Sequence, residues 1–165
     1  MPKRDKGATA SGRASAATPP VAPEMWTVEA WENPETGSCP FQTFFNKLDP
    51  YAQAVVDAAM ERIVAPLGID VCSTEWGKPL GKGLYEIRIR QSLHAIRTWG
   101  QTDPVPAVDP RENDTVLLRV FVTFHGAKVD ILFQGYDKGA DPSERRQARE
   151  IKQARKHLTV WKSHG

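Results

Sequence analysis

The chain predicts an α+β domain, and three features of the sequence lead there. Segments 83–90, 116–124 and 128–138 alternate β-branched or aromatic residues with polar ones, the period of a strand. Segments 38–48 and 49–63 repeat apolar residues at helical spacing. A last helical stripe joins Ala148, Ile151, Leu158 and Trp161, with basic residues between them. The expected order is strand, helix, helix, three antiparallel strands and a C-terminal helix, with the helices packed on one face of the sheet.

Residues 1–24 are rich in Ala, Pro, Ser and Thr, with Lys3, Arg4, Lys6 and Arg13 among them. Such a segment buries too little apolar surface to offset chain entropy, so a disordered basic tail is expected. The domain then occupies 25–165. Trp26 to Trp31 alternates as a first strand, ended by Asn33-Pro34 and Gly37. Ser38 and Pro40 read as a helix start with a side-chain cap, followed by Phe41, Phe44, Phe45 and Leu48. Asp49-Pro50 repeats that signal ahead of Ala52, Val55, Val56, Ala59, Met60 and Ile63, a stripe that stops near Pro66-Leu67-Gly68.

Gly77 to Gly83 reads as a flexible basic connector, without the spacing of a phosphate-binding P-loop. Residues 91–114, with three prolines and little periodicity, read as a long loop insertion, the preceding hairpin extending as far as Ile96 and Trp99. Asp141-Pro142-Ser143-Glu144 opens the last helix.

Charge is unevenly spread. Residues 1–24 hold four basic and two acidic residues, net +2; residues 25–142 hold eleven and sixteen, net −5; residues 143–165 hold seven and two, net +5. A positive C-terminal segment on an acidic body suits a polyanion or an acidic protein partner. No stretch is apolar enough to act as a signal peptide or to span a bilayer. Cys39 and Cys72 lack metal-ligand spacing and read as reduced thiols, which points to a cytoplasmic protein.

The chemistry-bearing residues lie on the strands. Arg88 and Arg90 leave the same side of theirs, because side chains alternate with period two. Arg119 sits among apolar neighbours, where a charge costs energy unless something uses it. No paired carboxylates, zinc-spaced His/Cys set or Ser/His/Asp grouping competes with them.

The phrases Trp26-Thr27-Val28-Glu29, Ser38 to Leu48, Lys78-Pro79-Leu80, Gly83 to Arg90, Leu118-Arg119-Val120-Phe121 and Ile131 to Lys138 follow one another in a set order. In that order the chain resembles the RelE/ParE superfamily of bacterial toxins, closest to the phage-derived HigB-like branch. The resemblance spans roughly residues 26–160, apart from 91–114. It implies a toxin of a type II toxin–antitoxin pair, a metal-independent and cofactor-free endoribonuclease that cleaves mRNA on the ribosome. It also implies a cognate antitoxin, usually of the helix-turn-helix type.

By the same resemblance the family's basic residues fall on Arg88, Arg119 and Lys138, with Tyr136 beside Lys138. Glu86 takes a position that is commonly Glu in the HigB-like branch. The histidine that some HigB members place near the C-terminus has no counterpart. Guanidinium groups match a phosphate bidentately, which suits Arg88 and Arg119 to stabilising charge. Lysine can carry the proton, so Lys138 is the candidate acid, with Tyr136 offering a hydroxyl or a stacking face. Arg90, Lys78, Lys82, Arg145 and Arg146 are the expected RNA contacts. Two other outcomes stay open: a ParE-like, non-enzymatic inhibitor of DNA gyrase, and an inactive phage-derived relative acting only as a binding protein.

Overall fold

A computed structural model describes residues 24–164. The tail expected at 1–24 lies, apart from Glu24, outside them. Strand β1 (Thr27–Ala30) is followed by helix α1 (Pro40–Asn46) and helix α2 (Pro50–Ala59). From α2 the chain runs on through a π-helical turn (Met60–Val64) into the short α3 (Ala65–Leu67) and a 3-10 turn (Gly68–Ser73). Then come β2 (Gly77–Gly81), β3 (Leu84–Ile89), helix α4 (Leu93–Arg97), β4 (Leu118–His125), β5 (Val129–Asp137) and helix α5 (Glu144–His164). The strands form one mixed sheet in the order β1-β5-β4-β3-β2. β1 runs parallel to β5, and every other neighbouring pair is antiparallel.

Local chemistry accounts for most of the boundaries. The Asp49 carboxylate accepts from the Ala52 amide at 2.8 Å and Pro50 fills the first helical position, so α2 begins where its proline needs no donor. At α1 the cap is Cys39, with no side-chain hydrogen bond; Ser38, the expected cap, pairs its hydroxyl with that of Thr36 instead. Pro40 alone marks that start.

The expected connector at 77–83 is a strand. Lys78 pairs with Glu86 and Pro79 with Tyr85, and a turn with positive φ at Gly81, Lys82 and Gly83 closes the hairpin. Pro79 is tolerated because β2 is the sheet edge, where a missing N–H leaves no ladder bond unmade. The insertion is likewise ordered in part. β3 stops at Ile89, and the hairpin does not continue to Ile96 and Trp99. Ser92 caps α4 by accepting from the Ala95 amide, and Leu93 and Ile96 point into the core. Tyr51 fastens both ends of the excursion: its hydroxyl donates to the Asp114 carbonyl at 2.6 Å and accepts from the Leu93 amide at 3.2 Å.

Helices cover both faces of the sheet, not one. On the first face α1, α2, the π turn and α4 pack on Ile87, Ile89, Val120, Val122 and Leu132. On the second face Leu84, Phe121 and Phe133 form an apolar patch, and α5 buries Ala154 and Leu158 against it. Leaving that patch wet would forfeit about 1.5–3 kcal/mol for each large side chain, so the thin stripe of α5 is sufficient reason for it to dock. Arg155 then ties the helix to the hairpin tip by donating to the Gly81 and Leu80 carbonyls at 3.1 and 2.6 Å, and Lys162 donates to the Lys82 carbonyl at 3.0 Å.

Where β1 ends, α1 takes over the border of β5. A Cβ on Gly135 would lie 2.6 Å from Phe44 Cε1 and 2.7 Å from the Arg119 carbonyl oxygen, so α1 can sit this close only over a glycine. Gly135→Ala is expected to cost about 1–3 kcal/mol through overpacking. An unchanged melting temperature would mean that α1 is not pinned there.

Candidate active site

Strand register assembles the site. In β3, Ile87 and Ile89 turn to the first core, so Glu86 and Arg88 turn to the second face. Arg88 pairs across strands with Arg119, and Arg119 with Tyr136, which sets the three side chains in one row. Beside it runs a second row, Lys78, Glu86, Phe121 and Gln134. Lys138 follows Tyr136 by two residues at the end of β5. Such neighbours stand about 4.5–5.5 Å apart at Cβ, and like charges placed so closely repel unless something neutralises them.

Glu86 is that something. It is 0% exposed, and its Oε1 accepts from Arg88 Nε at 2.9 Å while lying 3.5 Å from Arg119 Nε. Its Oε2 accepts from the Gln147 side chain of α5 at 3.5 Å. The Arg119 contact is an ion pair without an aligned hydrogen bond: Nε has no hydrogen-bond partner among the described residues, and Nη1 donates to the Leu118 carbonyl at 3.2 Å. Two guanidiniums therefore share one carboxylate rather than each holding its own. With Lys138 the group counts three cations against one anion, an excess of positive charge at a partly dry surface.

The electrostatics follow from that crowding. Burial first, then the neighbouring Arg88 and Arg90, push the Arg119 guanidinium below its usual pKa, and Glu86 opposes them. Lys138 is lowered as well, by desolvation and then by Arg119, with Arg88 and Arg90 adding to it. Its ammonium makes no ion pair with any described residue. Burial raises the Tyr136 phenol, and its hydroxyl is buried with no hydrogen-bond partner among the described residues. Arg146 lies over the Tyr136 ring at 5.4 Å, and Phe121 stacks beside that ring at 6.1 Å.

Arg88, Arg119, Tyr136 and Lys138 thus come together on the second face, and Arg146 joins them from α5. Accessibility separates them. Arg119 is only 4% exposed, whereas Arg88 and Lys138 keep solvent-facing surface. In this conformation an incoming anion meets Arg88 and Lys138, and Arg119 adds its charge from beneath. Arg90 is exposed at the margin, with Nη2 3.5 Å from the Glu75 carbonyl. Lys78 shares the Glu86 row but stands exposed on the edge strand.

Two expected RNA contacts fall elsewhere. Lys82 occupies the hairpin tip, six residues from Arg88 and so about 20 Å away along the strand. Arg145 is exposed on α5, one residue from Arg146, and helix neighbours one apart do not share a face.

Gln147 and Glu150 belong to the site and were missed. Glu150 accepts from Arg146 Nε at 2.9 Å and from the Gln134 side chain at 2.7 Å. Their signal was present: positions 147, 150 and 151, 154 and 158 lie along one side of the helix, the side that carries its apolar stripe.

The arrangement can grip one oxyanion between a guanidinium and an ammonium with a second guanidinium behind, beside an aromatic ring. No family model matches the chain, and no curated protein or solved structure is found to be similar to it.

Proposed function

We infer that this chain is a toxin of the RelE/ParE kind, nearest the HigB-like branch, acting as a metal-independent, ribosome-associated endoribonuclease on mRNA. The observation that carries the reading is the pairing of Arg88 and Arg119 with one shared carboxylate, Glu86, with the ammonium of Lys138 close enough to feel all three charges. RNA cleavage of this type needs the 2′-hydroxyl to lose its proton and attack the adjacent phosphorus. The bond from phosphorus to the 5′-oxygen then breaks, and that oxygen must be protonated. Negative charge grows on the non-bridging oxygens during the attack, and fixed cations aimed there lower the barrier.

Arg88 supplies the contact and Arg119 the charge behind it. Lys138, with its pKa lowered by burial and by the arginines, gives up a proton more readily than an ordinary lysine. Arg90 and Arg146 extend the positive surface on either side. The cognate antitoxin, on this reading, is a helix-turn-helix protein that neutralises the toxin.

Lys138→Ala is expected to leave the melting temperature unchanged, because no ion pair depends on that ammonium, yet to slow RNA cutting by about 10²-fold. Arg88→Ala should slow it by about 10²–10³-fold. In the wild type the rate should fall at alkaline pH as the ammonium deprotonates, at a lower pH than an ordinary lysine would allow, and Lys138→Arg should remove that limb. Wild-type cutting by Lys138→Ala would end the assignment.

A second reading has its own support, since Arg88 and Arg119 both pair with buried Glu86, and an ion-pair group of this kind can be purely structural. Expression without an antitoxin separates the readings. Translation arrest with cut mRNA supports the nuclease, DNA breaks with SOS induction support a gyrase inhibitor, and normal growth supports a binding protein.

A further inference from the structure

Between α1 and α5, along the stretch of β5 that β1 leaves uncovered, the surface opens into a cleft of about 560 Å³. Pro40 and Phe44 give it an apolar wall, and Gln153 and His157 face them from α5. Tyr136 and Arg146 line it too, and these same two residues border the cationic cluster. We propose that this cleft is a nucleobase subsite, holding the base next to the phosphate that meets Arg88 and Lys138. It rests on the nuclease reading above.

Position is the first argument. Lys138 and Tyr136 share a strand two residues apart, and Tyr136 pairs across strands with Arg119. A chain whose phosphate lies on the cluster carries its next sugar and base past Tyr136, and this cleft opens there.

Charge is the second. Glu150 and Asp137 line the cleft opposite Arg146 and Lys47, so its charges balance and nothing in excess draws a second phosphate there, which suits a neutral ring. The third argument is shape and polarity. The volume falls within the range of pockets that enclose small organic ligands, and an apolar wall facing an amide and an imidazole fits a flat ring with polar edges. Burial keeps His157 below its usual pKa, so its imidazole faces the cleft uncharged near neutral pH. The buried Tyr136 hydroxyl lacks a partner among the described residues, an omission that proteins rarely leave standing without reason.

The test uses dinucleotides that cannot be cut, with a 2′-deoxy sugar before the phosphate, carrying each of the four bases, and an abasic counterpart of equal charge. Binding to the full chain is measured by calorimetry at low salt. At least one base-bearing probe should bind tenfold or more tightly than the abasic one, a margin in keeping with the contribution of a single stacked base. Gln153→Trp and Thr43→Trp, both at exposed positions on the cleft rim, should fill it and bring that margin below twofold, leaving abasic binding as it was.

Equal binding of all probes to the wild type, or a margin that survives both substitutions, overturns the subsite while the phosphate cluster stands. If no probe binds at all, the nuclease reading falls together with the subsite.

Discussion

Replacing Glu86 with Ala should lower stability by about 3–5 kcal/mol, near 10 °C in melting temperature for a domain of this size. Glu86 is wholly buried and is, among the described residues, the one acid in contact with both Arg88 and Arg119. Removing it strands Arg119, itself only 4% exposed, beside two further cations with nothing to balance them. Loss of one partner of a buried pair costs more than the pair contributed, because the survivor keeps its desolvation penalty. Glu86→Gln should cost less, since the amide oxygen can still accept from Arg88 and the volume is kept.

The same substitutions should strengthen anion binding. With the carboxylate gone, a phosphate can take its place among the guanidiniums, and its binding should restore part of the lost melting temperature. Wild-type protein should gain less from the same phosphate concentration. Thermal denaturation of both proteins, with and without phosphate, measures the two effects together. If Glu86→Ala melts like the wild type, the two guanidiniums are not held by this carboxylate, and the account of the site fails.

How far the sequence disclosed this depends on which signal each element carried. β3, β4 and β5 were legible because alternation over six to nine residues is hard to produce otherwise. The row Arg88–Arg119–Tyr136 was legible only in part. Period two shows that Arg88 faces away from Ile87 and Ile89, but register across strands is set by turns and packing, which no single strand encodes.

β2 escaped because Gly77, Pro79 and Gly81 carry no strand propensity; its existence depends on β3 offering an open edge. α4 escaped for a similar reason. Five residues are too few for a periodic pattern, and its anchor, Tyr51, lies forty-two residues away from Leu93. The placement of α5 needed tertiary information of another kind. Its stripe announces a buried face, but which side of the sheet receives it follows from the patch at Leu84, Phe121 and Phe133, which exists only once three strands are aligned.

Asp130 gives the second large effect, and it concerns pH. It lies on β5 opposite Val28 of β1 and Phe124 of β4, is 0% exposed, and neither carboxylate oxygen has a hydrogen-bond partner among the described residues. Burial raises its pKa from the usual 3.8 to about 7. The folded chain therefore holds this proton over a range in which the unfolded chain has already released it. The stabilising contribution of the protonated form is complete below about pH 4 and is lost as pH rises to about 7. Across that window it amounts to roughly 1.4 kcal/mol per pH unit, on the order of 4 kcal/mol in all. Asp130→Asn removes the proton from the balance while keeping the shape. Urea unfolding should therefore find the variant more stable than the wild type at pH 8 by several kcal/mol, with the difference shrinking steadily towards pH 5. Equal differences at pH 5 and pH 8 would show that Asp130 titrates alike in the folded and unfolded chains, which its burial between two strands without a partner does not allow.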